Sequence, residues 1–149
     1  MKIKLVAIVA IVALLLGVVW FLWPAPTEKK QLEISLSNIE SGVSGQKLAL
    51  VLGEISENYE DESGWSKQTI RGILFREFKK DSDFSLHIHP TTFQLTLPSA
   101  KITADVSIIG GSILNPNAAA EYFKVEFFYQ KEPDGRWRLQ GHTRDQVEK

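Results

Sequence analysis

Residues 5–23 form an unbroken apolar run of about 19 positions, with a single glycine and no charged side chain. A helix rises about 1.5 Å per residue, so a run of this length nearly matches a hydrocarbon core of about 30 Å. In lipid the backbone N–H and C=O groups must be satisfied within the segment, and a helix does this. The run predicts a transmembrane anchor over residues 1–24, behind a short cytoplasmic N-terminus that carries Lys2 and Lys4. Trp20 and Trp23 lie near its far end, where amphipathic indoles favour the headgroup level. The competing reading is a cleaved signal peptide. Against it, the run exceeds the usual apolar region of about 7–15 residues, and Ala25 stands between two prolines with Trp23 close upstream. The expected location is a bacterial inner (cytoplasmic) membrane, crossed once, with the C-terminal domain in the periplasm or outside.

The rest of the chain holds about 120 residues, enough for one domain and too few for two. Residues 25–31, with Pro26 and a charged end, suit a short stiff tether, which leaves 32–149 for the domain. Seventeen basic and 18 acidic residues give a formal net charge of −1. That balance supplies no field to hold a polyanion, so nucleic acid is not an expected partner. The chain has no cysteine, which excludes disulfides, thiolate metal sites, a cysteine nucleophile and a lipoprotein anchor.

Along the domain, Leu32, Leu36 and Ile39 fit helical spacing, while Leu32, Ile34 and Leu36 fit a strand equally well; helix is the favoured reading, and the glycine and serine stretch 41–45 is expected to break it. Leu48, Val51, Leu52, Ile55 and Tyr59 place one apolar stripe on a helix of roughly 12 residues from Gln46. A further helix is expected from Ser66, a capping residue, with Ile70, Ile73, Leu74 and Phe78 on its buried face. After Asp81 the period becomes alternating. Phe84, Leu86 and Ile88 form one expected strand, and Phe93, Leu95 and Leu97 a second, with Pro90 and Pro98 as punctuation. Ile102 to Ile108 and Phe123 to Tyr129 add two more, with a loop over 110–118 between them. Asp134-Gly135 is a hairpin signal before a returning strand at Trp137 and Leu139. Helices followed by a run of strands predict an α+β domain, with helices on one face of a curved, mainly antiparallel sheet.

The order of elements resembles the nuclear transport factor 2-like (cystatin-like, SnoaL-like) superfamily, as do the alternating strands and two local patterns. One is Asn58-Tyr59-Glu60-Asp61-Glu62-Ser63-Gly64 leading into the helix from Ser66; the other is the segment from Gln130 to Arg138. The resemblance covers about residues 32–142. It implies a cone, in which a bent sheet wraps the helices and leaves a pocket at the open end, and it hardly specifies activity.

Within that resemblance, Asp61 falls where the ketosteroid isomerase branch places its general base. The same mechanism needs oxyanion donors in an apolar wall. No tyrosine lies in the first helix, and the inward set Phe123, Val125, Phe127 and Tyr129 contains no acid. A turn residue bonding backbone is therefore the favoured role for Asp61. His87 and His89 are two apart on a strand and share a face opposite Leu86 and Ile88. With His142 they are weak candidates for zinc, against a plain polar outer face. The acidic residues from Glu54 to Glu62 lack the alternating oxygen spacing of a calcium loop, and no cofactor is expected. Tyr59, Trp65, Phe93, Phe127, Tyr129 and Trp137 are candidate pocket or binding residues that could equally be core.

These observations favour a membrane-anchored module that buries a small hydrophobic ligand or a protein partner, without covalent chemistry. A lyase or isomerase using Asp61, and a domain that self-associates into a homodimer through Tyr122, Phe128 and Ile109, are the alternatives.

Overall fold

A computed structural model describes residues 11–18, 24–80, 85–110 and 120–147. Residues 11–18 are helical and exposed throughout. The remainder of the expected anchor lies outside the described residues, and among those described no helix is long and apolar enough to cross a membrane. The domain runs α1 (Glu28–Ser44), α2 (Leu48–Gly53), α3 (Lys67–Phe78), then β1 (Ser85–Thr96), β2 (Ser99–Ile109), β3 (Ala120–Lys131) and β4 (Trp137–Gln146). The strands form one antiparallel sheet in the order β1-β2-β3-β4. This is the α+β arrangement expected, with the helices against the concave face of a curved sheet.

α1 begins at Glu28, inside the stretch expected to be tether, because the Thr27 hydroxyl accepts a hydrogen bond from Lys30 N at 3.2 Å and caps the first turn. It also continues through Gly42 instead of breaking there. Gly42 is buried where α1 and α2 cross, and a Cβ on it would lie 2.7 Å from Val51 Cγ2. Glycine here permits close packing; Gly45 ends the helix. α2 is six residues long, half the expected length. The apolar stripe persists beyond it, but Ile55 is drawn into a parallel bridge with Leu139, and Ser56 N donates to Leu139 O at 2.9 Å. Tertiary pairing thus takes residues 54–56 out of the helix and covers the β4 edge, which would otherwise present unpaired backbone groups. α3 starts as expected, with the Ser66 hydroxyl accepting from Thr69 N.

Pro90 does not divide two strands. β1 runs from Ser85 to Thr96 with a register irregularity between Pro90 and Thr92, which is how an edge strand accommodates a residue lacking an N–H. α1 satisfies other groups on that edge: Glu40 Oε2 accepts from Ile88 N at 2.7 Å, and Ser44 Oγ both accepts from Leu86 N and donates to Leu86 O. Phe84 and most of the expected loop over 110–118 lie outside the described residues. Asp134 and Gly135 do sit in the β3–β4 turn, with Gly135 at φ 80°. Leu32, Leu36, Ile102, Ala104, Tyr129 and Trp137 lie at the centre of the core.

Candidate functional site

The pairing register decides which side chains share the concave face. Phe127 lies opposite Ile102 and His142, Val125 opposite Ala104 and Arg144, and Phe123 opposite Val106. Of these, Val106, Phe123, Val125, Phe127, His142 and Arg144, with Ile39, Val43 and Val51 from α1 and α2 and Ile70 and Leu74 from α3, line a partly open cavity of about 210 Å³. Its wall is apolar except at three side chains, Tyr59, His142 and Arg144. The cavity reaches toward Val43, Leu86 and Ile108, the end of the sheet where α1 finishes.

Tyr59 and His142, 83 residues apart, meet with Tyr59 Oη 2.6 Å from His142 Nδ1, and their rings stack with centroids 6.3 Å apart. Burial raises the phenol pKa, and the nearby Asp61 charge adds to the effect. Burial also pushes the imidazole below its usual value, against the opposing pull of Asp61. Both groups are therefore neutral at pH 7, and a single proton lies between them. Such a pair can orient the polar end of an otherwise apolar ligand. Arg144, whose guanidinium sits 6.0 Å over the Phe123 ring, places a positive charge in the same wall.

No protein-family model matches the sequence, and no curated protein matches it either. Solved structures do match. A nuclear transport factor 2-like protein from Cytophaga hutchinsonii superposes with a TM-score of 0.64 over 82% of this chain and 100% of that one, at 9% identity. A nuclear transport factor 2-like superfamily protein from Salmonella enterica gives a TM-score of 0.64 over 80% and 92%, at 13% identity. A protein with a cystatin-like fold from Nostoc punctiforme gives 0.61 over 83% and 96%, also at 13%. The fold is nuclear transport factor 2-like. At such identities the likeness is one of fold, and the activity has to be argued from the cone itself.

Of the expected pocket residues, Tyr59 and Phe127 line the cavity of the cone. Tyr129 and Trp137 are core: Tyr129 is 2% exposed with Ser35 Oγ 3.3 Å from its hydroxyl, and Trp137 is 3% exposed with its indole N–H donating to Glu28 Oε2 at 2.6 Å. Both lie toward the closed end, where the sheet and the start of α1 fill the space. Phe93 is half-buried beside α1, under the Lys29 ammonium at 5.0 Å, and Trp65 is half-buried in the loop after Asp61. Neither reaches the cavity.

Asp61 does not line the cavity. Its Oδ1 accepts from Ser63 N and Trp65 N, both at 2.9 Å, while Asp61 N donates to Trp65 O, so the carboxylate closes a turn in which Gly64 adopts φ 74°. The three histidines are not brought together either. His87 and His89 are exposed on the convex face, beside Asp105, Ser107 and Tyr122, whereas His142 is on the concave face. Among the described residues no group of three potential ligands is arranged to hold a metal ion.

Sequence patterning misses one acid. The inward set begins two residues before Phe123, at Glu121, which is 7% exposed and lies across from Ile108 on the face that forms the cavity. Its Oε2 is buried without a hydrogen-bond partner among the described residues. One more step of the Phe123, Val125, Phe127 alternation would have found it. A glutamate there reads as the solvated start of a strand, and only the folded chain buries it.

Proposed function

We propose that the chain is a membrane-anchored binding module, with its nuclear transport factor 2-like cone outside the cytoplasm and a small, mainly hydrophobic ligand held in the cavity. The observation that carries this reading is the apolar space of about 210 Å³ with the Tyr59–His142 pair in its wall. Most drug-sized ligands occupy about 300–1,000 Å³, so the ligand is small. Its apolar body would be driven in by loss of water contact, and the neutral pair would fix one oxygen or nitrogen. A lyase or isomerase based on Asp61 draws no help from that residue's place, since Oδ1 already serves two backbone N–H groups outside the cavity lining.

The test is equilibrium dialysis of 2-naphthol, a bicycle with one hydroxyl, against the full chain in lipid nanodiscs, with empty nanodiscs as reference. The expected result is saturable binding at one site per chain, weakened at least tenfold by Val106→Phe, which fills the cavity, and by a smaller factor in Tyr59→Phe. Binding that is the same in all three proteins would remove the cavity as the site.

A further inference from the structure

The start of α1 is fastened to the closed end of the sheet. Glu28 Oε1 pairs with Lys131 Nζ at 2.5 Å, and Glu28 Oε2 accepts from the Trp137 indole. Lys131 N in turn donates to Pro98 O at 2.7 Å, in the β1–β2 turn. On the N-terminal side, Gln31 Nε2 donates to Pro26 O at 2.9 Å, so the chain leaving the domain is held as far back as Pro26. Next to this junction are two exposed apolar side chains, Leu95 and Leu97, which are 45% and 61% exposed. Lys29 and Lys30 stand at the same end, in the first turn of α1.

We infer that this end of the domain rests on the bilayer, with the β1–β2 hairpin tip at Leu97 inserted among the lipid headgroups. The inference rests on the reading of residues 5–23 as an anchor. Between that run and α1 lie residues 24–27, which can span at most about 14 Å when fully extended. The headgroup layer is itself roughly 5–8 Å deep on each side of the hydrocarbon. Any end of the domain that contains Glu28 therefore stays beside the membrane surface, and the hairpin tip is tied to that end through Lys131. Leu97 then meets lipid where it would otherwise meet water, while Lys29 and Lys30, which share the single carboxylate of Glu33 at 3.9 and 3.5 Å, leave one net positive charge toward anionic headgroups. The cavity reaches toward the opposite end of the sheet, away from the lipid.

The chain has no cysteine, so one introduced residue carries a label uniquely. Full-length Leu97→Cys and, as a reference at the other end of α1, Lys47→Cys are spin-labelled and reconstituted in vesicles of phosphatidylethanolamine and phosphatidylglycerol. Flotation reports anchoring, and the relative access of oxygen and a water-soluble nickel chelate reports depth. The expected result is flotation of both proteins, with oxygen favoured over nickel several-fold at position 97 and not at 47. Flotation with equal, water-like access at both positions would overturn the docked hairpin and leave the anchor standing. Failure to float would overturn the anchor and the hairpin together.

Discussion

Trp137 shows how much a single side chain carries at the closed end. Its indole is 3% exposed and its N–H reaches Glu28, so packing and the fastening of α1 meet in one residue. Trp137→Ala should lower stability by about 3–5 kcal/mol, read as a shift in the urea midpoint, because a cavity adds to the lost transfer energy. An unchanged midpoint would mean the indole is not a core residue. His142 carries a pH dependence whose sign follows from its burial. The folded-state pKa lies below the ordinary value of 6.5, so the unfolded chain binds the extra proton as pH falls through that value. Stability should thus decline from pH 7.5 to pH 5.5. His142→Asn, which keeps a polar atom near Nδ1 but cannot titrate, should flatten this slope, measured by urea melts at the two pH values. Losses below about pH 4.5 belong to other groups: Glu28, held down by the hydrogen bond from Lys131, and Asp134, held down by that from Arg138.

Among the elements, three glycines sort by what surrounds them. Gly141 on β4 is buried against the loop after α2, and a Cβ there would lie 2.5 Å from the Glu60 carbonyl oxygen. Gly141→Ala must displace backbone that is itself bonded, since Glu60 N donates to Gln140 O, and should cost about 1–3 kcal/mol. Gly72 lies within α3, and a Cβ there would meet nothing within 4 Å, so Gly72→Ala should stabilise by about 0.5–1 kcal/mol through helix propensity alone. Opposite shifts in melting temperature are the expected outcome, and a stabilising Gly141→Ala would show that the loop does not press on β4. Gly42→Ala belongs with Gly141, at the α1–α2 crossing. These elements also mark the limits of sequence patterning. Leu32, Leu36 and Ile39 give the buried stripe of α1 correctly, yet Gly42 reads as a break because its packing partner, Val51, belongs to the next helix. Pro90 reads as a boundary because nothing local reveals that it lies on an edge strand.

For the whole molecule, the proposed anchor and the cone together predict topology. Protease added outside intact spheroplasts should remove the domain and leave a membrane-embedded stub. Protection of the domain would reverse the orientation, and a soluble chain beginning near Ala25 would identify the apolar run as a cleaved signal. The domain itself is held at both sheet edges, by residues 54–60 along β4 and by Glu40 and Ser44 of α1 along β1. Such covering leaves the convex face, with Phe128 and Ile109 at 36% and 44% exposure, as the surface open to another chain.

The sequence by itself determined the apolar run, the helical or strand character of the main elements and the α+β class, because these follow from local periodicity and from turn chemistry such as Asp134-Gly135; it counted five strands where four form, since Pro90 lies within β1. Tertiary structure alone decided which polar groups meet inside the cone. Tyr59 finds His142 across 83 residues only because the register, shifted between Phe128 and Tyr129, turns His142 inward beside Phe127. Asp61 is withheld from the same space because two backbone N–H groups need its oxygen more locally. Glu121 is buried because the concave face continues past Phe123. For Tyr59 and Asp61 the deciding partner is distant in sequence or is a backbone group, and neither leaves a mark on hydrophobic pattern; Glu121 continues the inward alternation, but a charged residue there reads as facing solvent.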